Sequence, residues 1–230
     1  MTETHYPYSR YLQETFGEKT YKVVVASGLT CPTRDGTLAK AGCAFCDLRG
    51  SGSFFGKQGR GDDVGAQIRR RLPAIRERFG ARKFLAYFQS YTNTYSDVEY
   101  LRSIYETALA EPGIAGLCIG TRPDCLPDAA LDLLEELASR SYVSLELGVQ
   151  SFEDETLRWL ERGHDAQSSI DALERTRARA PQRPHLRPFH VRLADRYDFC
   201  GPGCGADFER PGRPRRQAPP ADDPGAHDPG

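Results

Sequence analysis

"KFLAYFQSYTNTYSDVEYLRSIYETALAEPGIAGLCIGT", residues 83–121, is the stretch that decides the fold class of this 230-residue chain. It begins with an apolar run of strand length, residues 83–90, and ends with a second one, residues 114–121. Between them, residues 96–113 carry apolar side chains at helical spacing, and we predict Ser96 as the N-cap of this helix. A strand, a helix and a second strand in this order predict a right-handed βαβ unit with parallel strands.

The same alternation continues on both sides of this unit. Pro73 predicts a bend in the helix that precedes it. We therefore predict an α/β fold with about four βα units, in which polar residues at the carboxyl ends of parallel strands carry the chemistry. The further strands are predicted over residues 21–27 and 142–151, and the further helices over residues 62–80, 126–141, 154–163 and 165–180.

Composition divides the chain into a lead segment (1–20), a partial barrel (21–180) and a tail (181–230). Ten of the sixteen prolines lie in the tail, which has no helical or strand period and is predicted to be disordered. Because no fifth strand is predicted there, we expect an open, aggregation-prone edge on the fourth strand. A genuine extension and a truncated or frameshifted barrel would give the same composition, and the abrupt change near residue 180 favours a lost reading frame.

Charge and hydropathy limit the classes of partner. The formal net charge of −1 gives no overall electrostatic signature of nucleic-acid or membrane binding. No apolar stretch approaches the roughly 20 residues of a membrane span, and the polar start is unlike a secretory signal, so we predict a cytoplasmic protein. In that reducing compartment, the seven cysteines favour metal or cluster ligation over a disulfide framework.

Three cysteines lie close together in "CPTRDGTLAKAGCAFC", residues 31–46. Three thiolates are one short of a closed zinc site and of a fully ligated 4Fe-4S cluster. A cluster held by Cys31, Cys43 and Cys46 leaves one iron free, and radical chemistry with S-adenosyl-L-methionine needs such an iron. Two alternatives stay open: a zinc site completed from the "CGPGC" motif of the tail, and reduced cysteines that bind nothing.

Taken with the strand ends, this motif resembles the radical S-adenosylmethionine (radical SAM) superfamily. It is most similar to the subgroup around the radical SAM domain of the Elongator catalytic subunit. The long first cysteine gap and the blocks "GTRPDCLPD", "LELGVQS" and "RGHD" match that subgroup in order, over about residues 5–180. The resemblance implies a TIM-like (β/α)6 barrel and reductive cleavage of S-adenosyl-L-methionine to a 5′-deoxyadenosyl radical, with Cys31, Cys43 and Cys46 as cluster ligands.

The resemblance also implies residues that bind the cofactor. Gln89, Ser90 and Tyr91 stand where the family holds the methionine amino group, in place of its usual Gly-Gly-Glu. Glu146 and Gln150 fall where relatives line the cofactor and substrate cavity. A barrel strand is covered on both faces, so an acid at position 146 points into the lumen or needs a partner.

Other polar residues leave alternatives open. Arg122 and Asp124 either bind substrate or pair with each other and cap the next helix. His164 is a helix-end residue or a site residue. Cys118 alternates within an apolar strand and is expected in the core, while Cys125 is undecided between core and site.

The resemblance implies partners as well. An electron donor such as flavodoxin or ferredoxin is expected, and the Elongator-like subgroup points to transfer RNA as a substrate class. The acetyltransferase domain of the Elongator subunit has no counterpart in the chain, so acetyl transfer is not expected. Two functions remain: a radical SAM enzyme, and a truncated, inactive remnant that binds a cluster or zinc.

Overall fold

A five-stranded parallel sheet forms the centre of the computed structural model, which describes residues 7–46, 63–179 and 190–193. The strands lie in sequence order, and each pairs in parallel with the next. This arrangement confirms the predicted α/β fold and its four βα units. The strands are β1 (Thr20–Val25), β2 (Lys83–Phe88), β3 (Ile114–Thr121), β4 (Tyr142–Leu147) and β5 (His190–Leu193).

Helices connect the strands at the predicted places, with ends one or a few residues inside the predicted ranges. Helix α2 continues through Pro73 as one helix of 16 residues. A short 3-10 turn, Pro123–Cys125, follows β3. The helices are α1 (Tyr8–Phe16), α2 (Val64–Phe79), α3 (Val98–Leu109), α4 (Asp128–Ala138), α5 (Asp154–Trp159) and α6 (Ala166–Arg179).

The prediction of Ser96 as the N-cap of α3 is wrong by one residue. The Asp97 carboxylate accepts a hydrogen bond of 2.8 Å from the backbone N–H of Tyr100, whereas the Ser96 hydroxyl only contacts Asp97. An N-cap side chain accepts a hydrogen bond from the free backbone N–H three residues further along the helix. Asp97 does this with the N–H of Tyr100, so Asp97 is the N-cap.

Hydrophobic side chains cover both faces of the sheet, as a parallel sheet requires. The outer face packs Val23, Phe84 and Leu117 into one buried cluster with residues of α2, α3, α4 and α6. The inner face is covered in part by α1, which was not predicted as a helix. There Leu12 and Phe16 of α1 lie in a second cluster with residues of β2, β3 and β4, namely Leu85, Cys118 and Tyr142.

Strand β5 lies within the segment predicted to be a disordered tail. Its residues 190–193 pair in parallel with residues 144–147. The prediction that β4 has an open outer edge is therefore wrong. The strand escaped prediction because it is only four residues long. Of these four residues only Val191 and Leu193 are apolar, and the flanking sequence is rich in arginine and proline. Residues 180–189 and 194–230, including the "CGPGC" motif, lie outside the described residues.

No helix in the described ranges is both long enough and apolar enough to cross a membrane.

Candidate active site

The three predicted cluster ligands line one pocket beyond the carboxyl ends of β2, β3 and β4. Cys31 and Cys43 are buried, and Cys46 is half-buried. The pocket is completed by residues that follow three strands: Tyr91 and Thr92 after β2, Thr121 and Arg122 at β3, and Gly148 and Gln150 after β4. The βα topology brings these segments together, because the carboxyl ends of parallel strands meet at one edge of the sheet.

Backbone hydrogen bonds shape the cysteine loop. The carbonyl of Cys43 accepts a bond of 2.9 Å from the N–H of Cys46, which closes the turn between the two near cysteines. Gly42 has φ 81°, and a Cβ there would lie 2.9 Å from the Arg34 guanidinium, so this turn requires glycine. The N–H of Ala44 donates to the Leu160 carbonyl at 2.9 Å, which ties the loop to the end of α5.

Two buried arginines surround the cysteines. Arg162 Nη1 donates to Cys43 Sγ at 3.3 Å, and Arg122 Nη1 lies 3.9 Å from Cys43 Sγ and 4.0 Å from Cys31 Sγ. A hydrogen bond from Cys46 and the nearby Arg162 charge lower the pKa of the Cys43 thiol to about 5, although burial opposes them. The same hydrogen bond, together with burial, raises the pKa of Cys46. The pocket therefore stabilises thiolate at Cys43, and thiolate is the form that binds metals.

Arg122 and Asp124 form an ion pair, which confirms the pairing alternative. Their side chains make two hydrogen bonds, of 2.9 Å and 2.7 Å, in bidentate geometry. Asp124 does not cap the next helix, because α4 begins after Pro127 without a side-chain cap. Arg122 also donates at 2.7 Å to the carbonyl of Arg162, so the two arginines are fixed relative to each other.

The three thiols of this pocket are a donor set that fits an iron–sulfur cluster. Within residues 7–46, 63–179 and 190–193, no three His, Cys, Asp or Glu side chains converge on one ion position, as a zinc site with sulfur ligands at about 2.3 Å requires. A 4Fe-4S cluster takes each thiolate on a different iron, and three thiols of one pocket match it in number and chemistry.

The pocket also offers buried polar atoms for a ligand. The hydroxyl of Thr92 and Nε of Arg162 are both buried, and they have no hydrogen-bond partner in the described part of the chain. Because buried polar atoms are almost always paired, these two atoms suit the polar groups of a bound molecule.

The predicted cofactor residues after β2 divide between the pocket and its rim. Tyr91 lines the pocket, whereas Gln89 and Ser90 are half-buried beside it. Ser90 (φ 77°) and Tyr91 (φ 64°) both have left-handed backbone, which is strained for residues other than glycine. Glycine adopts this conformation without strain, so Ser90 and Tyr91 hold it here at a conformational cost.

Asn93 holds this strained turn, and sequence reasoning missed it. Its side-chain amide is fully buried and donates to three carbonyls, those of Phe88, Ser90 and Gly120. Its Oδ1 accepts a bond of 2.6 Å from the hydroxyl of Ser27, which follows β1. Asn93 therefore connects the ends of β1, β2 and β3. The polar run "YTNT" directly after an apolar strand was the available signal.

Glu146 and Gln150 lie in different places in the structure. Gln150 lines the pocket and has left-handed backbone, φ 68°. Glu146 is buried on the inner face of the sheet, where it accepts hydrogen bonds from Lys22 Nζ at 2.5 Å and the Tyr87 hydroxyl at 2.8 Å. It therefore satisfies both expectations for an acid on a barrel strand, since it faces inward and has partners.

The remaining predicted residues do not line the cysteine pocket. Cys118 is buried on the inner face beside Tyr8 of α1, as expected for a core residue. Cys125 is buried in the 3-10 turn, and burial raises the pKa of its thiol to about 12. His164 lies in the connection between α5 and α6, in a second pocket with Asp124, and burial lowers its pKa.

Comparisons with known proteins identify the relatives of this chain. The family model described as the radical SAM superfamily matches residues 36–181. YtqA from Bacillus subtilis strain 168, an uncharacterized protein, is 41% identical over 177 residues, which cover 76% of this chain and 54% of that protein. YhcC from Escherichia coli K12 is 42% identical over 155 residues, which cover 67% of this chain and 48% of that protein. Among solved structures, the archaeal Methanocaldococcus infernus Elp3 with an N-terminal deletion has a TM-score of 0.43 and 20% identity, over 66% of this chain and 34% of that chain.

The chain spans about half the length of these two curated relatives. The family match covers more than half of this chain, and it includes two of the three pocket cysteines and the strands β2, β3 and β4 whose ends line the pocket. The chain therefore belongs to the radical SAM superfamily.

Proposed function

We propose that this chain is an iron–sulfur enzyme that reductively cleaves S-adenosyl-L-methionine to a 5′-deoxyadenosyl radical. The observation that carries the proposal is the convergence of Cys31, Cys43 and Cys46 on one pocket at the carboxyl edge of a parallel sheet. Cys31, Cys43 and Cys46 would hold a 4Fe-4S cluster there, which would supply the single electron needed to break the sulfonium bond of S-adenosyl-L-methionine.

The pocket residues prepare the thiols for binding. A hydrogen bond from Cys46 and the charge of the Arg162 guanidinium lower the pKa of Cys43 to about 5, which favours the thiolate form that binds iron. Thr33 Oγ1 lies 3.1 Å from Cys31 Sγ and 3.9 Å from Cys43 Sγ, which orients two of the three ligands. Phe45, between the near cysteines, lines the pocket and limits the access of water.

Three residues on the sheet side of the pocket are proposed to hold the nucleoside cofactor. Tyr91, Thr92 and Gln150 line the same pocket as the cysteines, so they face any ligand of the open iron. The buried Thr92 hydroxyl lacks a partner among the described residues and is available to the amino or carboxylate group of the cofactor. Gln89 and Ser90 shape the turn that presents Tyr91, and are proposed to act through it.

Glu146 is proposed to line the substrate side of the barrel. Its ion pair with Lys22 keeps a buried carboxylate neutralised, and the Tyr87 hydroxyl satisfies its second oxygen. A group held in this way contributes a fixed dipole to the inner face without adding net charge. Helix α1 closes part of the same face, so the space near Glu146 is bounded by Tyr8 and Tyr87, whose rings lie against Lys22.

The substrate and the reductant are proposed from the resemblance alone. A flavodoxin or ferredoxin is the expected electron donor, and transfer RNA is the proposed substrate class.

The cleavage assay tests the proposed reaction directly. The full chain is reconstituted anaerobically with iron and sulfide, reduced with dithionite and supplied with S-adenosyl-L-methionine, and 5′-deoxyadenosine is quantified. We expect cluster absorption in the visible range and more than one nucleoside per chain, both lost in Cys43→Ala. Trace iron in the wild-type chain would refute cluster binding. A full complement of cluster without nucleoside would refute the enzyme and support an inactive, cluster-binding protein.

A further inference from the structure

We propose that Arg162 raises the reduction potential of the cluster held by the three cysteines, and that Asp124 limits this effect by neutralising Arg122. The inference rests on the proposed cluster, and it assigns a role to a buried charge that sequence reasoning did not consider. Its basis is an asymmetry between two arginines that approach the same thiols.

Arg162 is held rigidly against a ligand. Its side chain is buried, with Nη1 3.3 Å from Cys43 Sγ and Nη2 donating to the Gly148 carbonyl at 2.6 Å. Its guanidinium also lies over the Phe45 ring, 5.7 Å from the centroid. Two directed hydrogen bonds and an aromatic face fix the planar group, so its charge stays beside the thiolate.

The charge of Arg162 is uncompensated within the described part of the chain, where no carboxylate lies within 4.0 Å of it. Arg122 differs, because the Asp124 carboxylate binds its guanidinium at 2.7 Å and 2.9 Å, in an ion pair whose arginine is buried and whose aspartate borders solvent. Arg122 also stands further from the sulfurs, at 3.9 Å and 4.0 Å. Of the two groups, Arg162 therefore carries most of the positive field at the cluster.

The direction of the effect follows from electrostatics. Reduction adds one negative charge to the cluster, and a nearby cation stabilises that charge strongly where water is excluded. A hydrogen bond donated to a ligand sulfur acts in the same direction, and both are recognised determinants of cluster potential. Arg162 thus makes the cluster easier to reduce, and consequently a weaker reductant.

A purely structural role for Arg162 predicts something else. Arg162 connects the cysteine loop to the end of β4 through Gly148, so in a purely structural role its loss would only loosen the site. Looser packing would reduce cluster occupancy, but it gives no reason for substitutions at Arg162 and Asp124 to shift the potential in opposite directions.

The test is a potentiometric titration of the anaerobically reconstituted full chain without S-adenosyl-L-methionine, in which electron paramagnetic resonance measures the reduced cluster. We expect Arg162→Met to shift the midpoint to more negative potential and Arg162→Lys to shift it less, because lysine keeps the charge. Asp124→Asn should shift it to more positive potential, since it frees the Arg122 charge. Arg158→Met is the matched control: this exposed arginine of α5 is screened by water, and its loss should leave the midpoint unchanged.

Equal midpoints for wild type and Arg162→Met, or shifts of the same sign for Arg162→Met and Asp124→Asn, would overturn the inference. If Arg162→Met does not retain a cluster, the Asp124→Asn variant becomes the deciding measurement. A midpoint potential of Asp124→Asn at or below that of the wild type would refute the proposal that Asp124 limits the positive charge near the cluster. A wild-type chain without a reducible cluster would refute both proposals. A wild-type chain that titrates and responds as expected, but yields no 5′-deoxyadenosine, would refute the enzyme alone.

Discussion

Replacing Asn93 by alanine is expected to destabilise the fold and to loosen the cofactor side of the pocket. The substitution removes a fully buried amide that donates to the carbonyls of Phe88 and Ser90, and it leaves the Ser27 hydroxyl without its acceptor. Gly120 is affected least, because its carbonyl still accepts the backbone N–H of residue 93. Each buried hydrogen bond contributes about 1 kcal/mol, and an orphaned hydroxyl costs more, so the total loss is about 3 kcal/mol.

Urea unfolding of the metal-free chain measures this loss, and binding of S-adenosyl-L-methionine to the reconstituted chain measures its effect on the pocket. Without the amide, the left-handed turn at Ser90 and Tyr91 loses its support, so we expect weaker cofactor binding with unchanged iron content. Ser96→Ala is the control, because its hydroxyl does not cap α3, and it should change stability by less than about 0.5 kcal/mol. A destabilisation by Asn93→Ala below about 1 kcal/mol would refute the assigned role.

Three further predictions follow from the same contacts. Cys31→Ala, Cys43→Ala and Cys46→Ala should each abolish stable iron binding, because two thiolates do not hold a four-iron cluster, whereas Cys118→Ala on the inner face should retain it; equal iron loss in Cys118→Ala would contradict the ligand assignment. Asp97→Ala should cost about 1 kcal/mol of unfolding free energy, as loss of an N-cap does, and a smaller effect than that of Ser96→Ala would refute the cap assignment. Lys22→Met should destabilise the chain by about 3 kcal/mol because it removes the cation beside the buried Glu146 carboxylate, and adding Glu146→Gln should recover most of that loss; additive effects in urea unfolding would argue against the pair.

The parts of the fold that repeat could be predicted from the sequence. Each βα unit has an apolar run of strand length followed by a helical period, and these local signals survive because every unit buries its own helix against the sheet. Strand β5 and helix α1 lack such signals. Four residues of β5 are too few to show a period, and α1 buries only Leu12 and Phe16 in a segment that is otherwise polar and aromatic.

Some residues of the candidate site can be identified from local sequence, whereas others depend on contacts between distant parts of the chain. The cysteines could be singled out because their spacing in the sequence is itself the chemical requirement, and in the structure all three line one pocket. Arg162 and Asn93 could not be predicted from the sequence, because their roles depend on contacts with residues far along the chain. Arg162 reaches Cys43 across 119 positions, and Asn93 reaches Ser27 across 66.

The turn that follows α5 holds the cysteine loop in place. Most backbone hydrogen bonds of the ligand loop lie within residues 31–46, and two of the anchors that hold it to the rest of the fold are neighbours in the sequence. One anchor is the backbone bond from Ala44 to Leu160, and the other is the Arg162 contact with Cys43. Both anchors come from the single turn that follows α5. The position and the charge of the cysteine pocket are therefore set together, so substitutions in this turn should alter cluster retention and cluster potential jointly, whereas Asn93→Ala should lower stability and weaken cofactor binding without changing the iron content.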